Sequence, residues 1–116
     1  MQTNKPNLIV DLSFKFALAI IEYAELLNSG HKYVISKQVL RSGTSIGANI
    51  REAQNAESKN DFIHKMKIAA KEADETEYWL EICKASKGYP VSYELLVQCI
   101  SISKVLSKII ASSKRS

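Results

Sequence analysis

The sequence predicts an all-α protein, a single antiparallel up-down-up-down four-helix bundle over residues 1–116. Apolar residues recur at steps of three and four over four segments of the chain, which is the period of an amphipathic helix. Only four glycines and two prolines accompany 46% hydrophobic residues, as is typical of ordered helical proteins. Short connections between the segments favour antiparallel neighbours, and no strand pattern competes with this prediction.

The first helix is predicted over about 9–28. Asn28 and Gly30 end it, because these residue types accept the left-handed backbone conformation that closes a helix. Its apolar stripe is formed by Phe16, Ile20, Tyr23 and Leu27.

The second helix is predicted over about 35–56, with an apolar stripe at Val39, Ile46, Ile50 and Ala53. Gly43 and Gly47 lie inside it, and an interior glycine costs a helix roughly 1 kcal/mol relative to alanine. Because Gly43 and Gly47 have no side chains, a neighbouring helix could approach this side of the second helix closely. The alternative is a helix broken by an irregular turn at RSGTS.

The third helix is predicted over about 59–86. Ser58 and Asp61 have the spacing of a capping box, in which the serine accepts from a free N–H group and a carboxylate follows three residues later. The steps of four and three along this helix predict a seam suited to bundle packing. The seam comprises Phe62, Met66, Ala69, Ala73, Thr76, Leu80 and Cys83.

The fourth helix is predicted over about 92–112, after Pro90 and with Ser92 as its cap. The tail that follows, SSKRS, is expected to fray. The seam of this helix is formed by Leu95, Cys99, Ile102, Leu106 and Ile109.

Charge gives only a modest indication of the partner, since 16 Lys and Arg against 12 Asp and Glu leave a net charge of +4. Three basic pairs are each one helical turn apart and project from one face: Lys37 with Arg41, Lys67 with Lys71, and Lys104 with Lys108. Cations spaced along a rigid helix can contact phosphates without reading base sequence. Ordinary solubilising lysines are the alternative interpretation.

Acidic residues crowd the third helix and predict a solvated or salt-bridged face. Arg41 and Arg51 of the second helix are the expected partners. The acidic residues are Glu72, Asp74, Glu75, Glu77 and Glu81.

No catalytic residue, cofactor or metal is predicted. The two histidines, His31 and His64, lack the preceding glutamate that diiron bundles use, and Asp61 with His64 is best explained as a solvated pair. Cys83 and Cys99 are expected to be buried free thiols.

A cytoplasmic protein without membrane contact is expected, because no stretch approaches eighteen uninterrupted apolar residues and the N-terminal residues lack a cleavable signal pattern. The GxxxG spacing from Gly43 to Gly47 occurs in membrane helices, but Arg41 and Arg51 bracket it.

The segment QVLRSGTSIGANIREAQNAESKNDFIHKMKIAAKEADETEYWL resembles the central signature of the 23S rRNA-intervening-sequence protein family. The resemblance runs from about Asp11 to Leu106. One departure is Ala53, where relatives commonly have glycine, and it is expected to let the second helix run further. The specific positions are Gln38, Arg41, Ser42, Ser45, Gly47, Asn49, Ile50, Glu52, Ser58, Asp61, Phe62, Ala69, Glu72, Glu75, Glu77 and Leu80.

The resemblance implies a ring-shaped homopentamer, and kinship with a basic pentameric accessory protein of retroelements that binds nucleic acid and a reverse transcriptase. It brings no catalytic residues. The partners implied are copies of the chain, RNA or DNA, and a reverse transcriptase or RNA-processing partner. The candidate nucleic-acid-binding residues are Lys37, Arg41, Arg51, Lys67 and Lys71. Buried polar links between helices are expected from Asn49, Glu52 and Glu72.

A protein-binding scaffold with no nucleic-acid role is the alternative function. The first and fourth helices have apolar stripes wider than a seam of two apolar positions in seven, which favours subunit contacts. The alternative is that a broad apolar stripe is ordinary for a helix of a globular protein. The additional apolar residues are Phe14, Ile21, Ile100 and Ile110.

Overall fold

The computed structural model describes residues 7–116, and these form a four-helix bundle without any strand. The predicted all-α fold class is therefore confirmed, while residues 1–6 of the predicted domain lie outside the described residues. The helices are α1 (Leu8–Ser29), α2 (Tyr33–Ala53), α3 (Lys59–Ala85) and α4 (Tyr93–Arg115).

Three helices begin at a side chain that accepts from the first turn. Asn7 accepts from Val10 N in α1. The predicted caps of α3 and α4 are confirmed, because the side chain of Ser58 accepts from Asp61 N and that of Ser92 from Leu95 N. The Asp61 carboxylate in turn accepts from the backbone N–H of Glu57, at 3.1 Å, and so fixes the entry into α3.

α1 ends at Ser29, close to the predicted position, but the predicted left-handed residue is wrong, because Gly30 has a φ of −95° and the positive φ of 63° falls on His31.

Two other predicted helix ends are also wrong. α2 ends at Ala53 rather than near 56, because the backbone N–H groups of Gln54, Asn55 and Ala56 donate to carbonyls three residues earlier instead of four. The side-chain amide of Gln54 also donates to the Ile50 carbonyl. α4 continues to Arg115 instead of fraying from 112, and the cations of its last turn interact favourably with the helix dipole.

The predicted apolar stripes form one core. Every predicted stripe residue is buried except Phe62 and Ile109, which are half-buried at the ends of their seams and pack against the core. Full burial of one such side chain contributes about 1.5–3 kcal/mol. The four helices are thus held together mainly by this shared apolar core.

α2 is continuous through both of its glycines, so the alternative of a turn at RSGTS is wrong. A Cβ atom at position 43 would lie 2.8 Å from Ile20 Cγ2, and one at position 47 would lie 3.3 Å from the Ser13 carbonyl oxygen. The absence of side chains at Gly43 and Gly47 therefore permits the close approach of α1, as the sequence predicts.

Each helix packs against the next one in the chain, and α4 also packs against α1. The α1–α4 contact is the least extensive of the four. The Tyr23 hydroxyl of α1 supports it by donating to the Pro90 carbonyl, at 2.6 Å, in the connection before α4.

Among the described helices, α4 alone is long and apolar enough to cross a membrane. Its seam residues are buried in the bundle, and 28% of its most apolar 18-residue window is buried in all.

Candidate nucleic-acid interface

Arg41 lies on α2 between two carboxylates of α3. Its Nη1 is 3.3 Å from Glu72 Oε1, and its Nη2 forms a second ion pair with Glu75 Oε2. The hydrogen bond with Glu75 raises the pKa of Arg41, and the same bond lowers the pKa of Glu75. The predicted pairing of Arg41 with the acidic face of α3 is confirmed, and local carboxylates compensate its charge.

Trp79 extends this cluster along α3. Its Nε1 donates to Glu75 Oε2 at 2.9 Å, which further lowers the pKa of Glu75. The ring of Tyr78 lies beside it, with 5.4 Å between ring centroids. Arg41, Glu75 and Trp79 therefore form one connected polar group that links α2 to α3.

The three predicted polar links have different outcomes. Glu72 is half-buried and links α3 to α2 through Arg41. Glu52 also joins the two helices, by a 2.9 Å pair with Lys65 that raises the pKa of that lysine, but its side chain is 57% exposed. The expected burial of Glu52 is wrong because it lies on the outer edge of α2, where water solvates its charge.

Asn49 does not link helices among the described contacts. It is half-buried, and its Nδ2 donates to the carbonyl of Ser45 one turn earlier in the same helix. A short amide side chain finds that carbonyl within reach, and so satisfies its donor locally. The predicted interhelical role of Asn49 is therefore wrong.

The buried polar contacts between α2 and its neighbours come from small hydroxyl residues instead. Ser42 Oγ and Thr76 Oγ1 are 2.9 Å apart and join α2 to α3, and both residues are 0% exposed. Ser36 Oγ donates to the Ala24 carbonyl of α1 at 2.9 Å. The seam pattern predicted the burial of Thr76 but not its partner Ser42. Hydroxyl residues at inward-facing positions of both helices are the sequence feature that could have indicated this contact.

Lys67 and Lys71 project together from the exposed surface of α3, as Lys104 and Lys108 do from α4. None of these lysines lies within 4.0 Å of a carboxylate in residues 7–116. The two helices are in direct contact, since the Cys99 thiol donates to the Ala73 carbonyl at 3.3 Å. Each of the two helices therefore presents an exposed lysine pair without an ion-pair partner among the described residues, although Glu77 lines the same groove as the α4 pair.

The other candidate cations lie on α2. Lys37 is exposed on the outer surface. Arg51 lines a groove between α1 and α2 with Phe14, Ala17 and Ala48. No described carboxylate forms an ion pair with Arg51, so the predicted pairing of this residue with α3 is wrong. It lies on the α1 side of the helix, away from the acidic residues of α3, in a groove that Asp11 of α1 also lines.

The described residues contain no group of three His, Cys, Asp or Glu side chains placed to hold a metal ion. Both cysteines are free and buried, as predicted. Burial raises the pKa of the Cys99 thiol to about 12 and also raises the pKa of Cys83. Thiols with raised pKa values are weak nucleophiles, so neither position has the electrostatics of a reactive cysteine.

A family model described as 23S rRNA-intervening sequence protein matches residues 5–108, which is most of the chain. The chain belongs to the 23S rRNA-intervening sequence protein family. The resemblance carried by the residues from Gln38 to Leu80 is thereby confirmed. None of the curated proteins matches this family member.

Among solved structures, this family member is similar to a protein with unknown function from the S23 ribosomal protein family of Bacteroides thetaiotaomicron VPI-5482. The two sequences are 47% identical, and the structures superimpose with a TM-score of 0.81. The similarity covers 88% of this chain and 97% of the other.

Proposed function

We propose that this protein is a non-enzymatic, homo-oligomeric accessory protein that binds nucleic acid through exposed lysines of α3 and α4. The observation that carries the proposal is that four exposed lysines on these neighbouring helices lack a carboxylate partner among residues 7–116: Lys67, Lys71, Lys104 and Lys108. Cations that are free of internal ion pairs can exchange their counterions for phosphates, which is the main source of affinity in sequence-independent binding.

The candidate nucleic-acid-binding residues differ in whether a neighbouring carboxylate already pairs with their charge. Arg41 is held by Glu72 and Glu75, so a phosphate would have to compete with two carboxylates. Lys37, Lys67 and Lys71 meet no such competition among the described residues. Arg51 also has no ion-pair partner in the described part of the chain, but it lies at a groove on the α1 side of α2. The lysines of α3 therefore take precedence over the arginines.

Self-association is the second part of the proposal. Phe14, Leu18 and Ile21 lie on one face of α1 and are 52%, 50% and 41% exposed. A contiguous apolar face of this kind favours a subunit contact. The family resemblance implies a pentameric ring, and five chains of +4 would carry about +20, which strengthens the field around the assembly.

An antiparallel up-down-up-down course of the helices is part of the same proposal. Contacts between α1 and α2 pass from Ser13 beside Gly47 to Ala24 beside Ser36, so the numbers rise in one helix and fall in the other. This order supports an antiparallel pair and a rigid rod that holds the lysines in rows.

The proposed partners are copies of the chain, RNA or DNA, and a reverse transcriptase or RNA-processing enzyme in the cytoplasm. The proposal needs no cofactor, membrane or catalytic group.

A protein-binding scaffold is the second candidate, and the same exposed face of α1 favours it. In that case the face would contact another protein, and the lysines would keep the chain soluble.

Light scattering followed by fluorescence anisotropy with generic RNA and DNA tests the proposal. We expect a mass near five chains and an affinity that falls steeply between about 50 and 200 mM salt. A monomer would overturn the ring, while an assembly that binds neither polymer at low salt would overturn the nucleic-acid role and leave the scaffold.

A further inference from the structure

One end of the bundle combines lysines and tyrosines from two separate connections. Residues 26–37 and 82–93 contain four lysines and three tyrosines, and no Asp or Glu. At the opposite end, residues 50–63 contain two cations and three carboxylates, and the last turn of α4 adds Lys114 and Arg115. That end therefore mixes both charges and has no tyrosine in these segments. The tyrosine–lysine end is defined by Lys32, Tyr33, Lys84, Lys87, Tyr89 and Tyr93.

Direct contacts position two of these lysines, Lys32 and Lys84. Lys32 Nζ lies 4.6 Å from the centroid of the Tyr89 ring, so the first connection touches the third. Lys84 Nζ lies 5.7 Å from the centroid of the Tyr93 ring. A cation over an aromatic face is attracted by the ring quadrupole, and these pairs position charge and ring together.

The first connection is short and fixed by hydrogen bonds. His31 N donates to the Asn28 carbonyl and Lys32 N donates to the Leu27 carbonyl, both at 2.9 Å. The Nδ1 of His31 is 2.8 Å from the Tyr33 hydroxyl. Tyr33 is therefore oriented at the start of α2 before any ligand arrives.

The rings remain available to a ligand. Tyr33 is 58% exposed and Tyr93 is 64% exposed, and Tyr89 is half-buried. None of Lys32, Lys84 and Lys87 lies within 4.0 Å of a carboxylate in the described part of the chain. Exposed rings between unpaired cations are the combination that proteins use to hold unpaired bases and their phosphates.

We infer that the tyrosine–lysine end binds single-stranded nucleic acid, with bases stacked on Tyr33 and Tyr93 and phosphates contacted by Lys84 and Lys87. This inference rests on the proposed nucleic-acid function and adds a preference for unpaired strands. A duplex keeps its bases stacked inside the helix, so it can use the cations but not the rings. Stacking accepts any base, so the preference is for strandedness and not for sequence.

The test compares a labelled 12-nucleotide single strand with its duplex, as RNA and as DNA, by fluorescence anisotropy at low salt. The double variant Tyr33→Leu/Tyr93→Leu keeps apolar bulk but removes the rings. We expect it to weaken single-strand binding at least about tenfold and to leave duplex binding within about twofold. Tyr33→Phe/Tyr93→Phe, which keeps the rings, should bind as the parent does.

Tyr78→Leu is the matched control, because Tyr78 is 61% exposed but lies on α3 outside the two connections. Its single-strand affinity should stay within about twofold of the parent. Equal single-strand affinity of the leucine double variant and the parent would overturn the inference while the proposed function stands. A parent that binds neither strand nor duplex would instead overturn the proposed function.

Crosslinking of the unaltered protein gives a second readout that does not depend on a variant's folding. A single strand containing 5-iodouracil is irradiated with the protein, and the crosslinked peptides are identified by mass spectrometry. Crosslinks within residues 26–37 or 82–93 support the inference. Crosslinks confined to other segments overturn it.

Discussion

Gly43 of α2 lies so close to Ile20 of α1 that a Cβ atom at position 43 would be 2.8 Å from Ile20 Cγ2 and 2.9 Å from Cγ1. Ile20 is fully buried and its γ carbons branch from the backbone-proximal Cβ, so they cannot move aside easily. The unfavourable helix propensity of a glycine is thus offset by the contact that it permits.

Gly43→Ala should destabilise the bundle even though alanine is the better helix former. Alanine gains roughly 1 kcal/mol of propensity, while overpacking of a core contact costs about 1–3 kcal/mol. Gly30→Ala is the control, because the nearest atom to a Cβ there is 3.7 Å away. Urea unfolding measures both; a Gly43→Ala variant more stable than the Gly30→Ala variant would contradict the close packing.

Thr76→Val should lower the free energy of unfolding by about 1–2 kcal/mol. It removes the Thr76 hydroxyl, and so leaves the buried Ser42 hydroxyl without its partner, while the shape of the side chain at position 76 is kept. Removing both hydroxyls with Ser42→Ala/Thr76→Val should cost less than the sum of the two single changes, since no buried partner remains unsatisfied. Thermal or urea unfolding of the four proteins gives the coupling energy. Strict additivity would show that the two hydroxyls do not interact.

Stability should fall in acid because of Glu75. Its pKa is lowered in the folded protein by Arg41 and then by Trp79, relative to an ordinary value of 4.5. A lowered pKa contributes stability that is present above the ordinary value and is lost as the pH falls through the folded value. Urea unfolding from pH 6 to pH 3 should show this loss in the parent.

Arg41→Ala should lessen the acid dependence and lower stability at pH 7 by about 1 kcal/mol or less, as expected for a partly exposed ion pair. Arg51→Ala is the matched control, because this arginine lies on the same helix without a described ion-pair partner. If both variants keep the parent's acid dependence, the Arg41–Glu75 pair does not cause it.

The thiols of Cys83 and Cys99 should resist modification in the folded protein. Both are buried, and burial raises the pKa of Cys99 to about 12, so almost no thiolate forms at pH 8. We expect Ellman's reagent to detect no thiol before unfolding and both thiols in guanidinium chloride. A fast stoichiometric reaction of the native protein would contradict this placement.

Lys67→Ala/Lys71→Ala should weaken polynucleotide binding and reduce the slope of log affinity against log salt by about 1 for each phosphate that the variant no longer neutralises. Arg41→Ala should leave that slope unchanged, because Glu72 and Glu75 already hold its charge. Anisotropy titrations at several salt concentrations measure both slopes. A larger change for Arg41→Ala than for the lysine pair would reverse their proposed roles.

Much of the fold follows from local patterns. The stripes at Phe16 to Leu27 and at Met66 to Cys83 are buried as predicted, because a period of 3.6 residues places them on one side of any helix. The caps at Ser58 and Ser92 are equally local, since each satisfies an N–H group three residues away. The end of α2 at Ala53 was missed, because that end depends on how the chain enters α3.

The candidate site could be predicted only in part. The lysine pairs of α3 and α4 are exposed, as their polar positions in the pattern indicate, and the partnership of Arg41 with α3 follows from charge. The sequence could not show that Arg41 is held by two carboxylates, nor that Arg51 faces α1. Those outcomes depend on the rotation of α2 about its axis, which charge counting does not specify.

By itself, the sequence determined the helical class, the buried stripes, most of the caps and the family of this protein. The tertiary structure alone decided which residues from distant segments meet: Thr76 with Ser42, and Lys32 with Tyr89. Periodicity and capping are set by neighbours within one or two turns. Contacts between helices depend on their mutual rotation and axial offset, which are fixed only when all four apolar faces pack into one core.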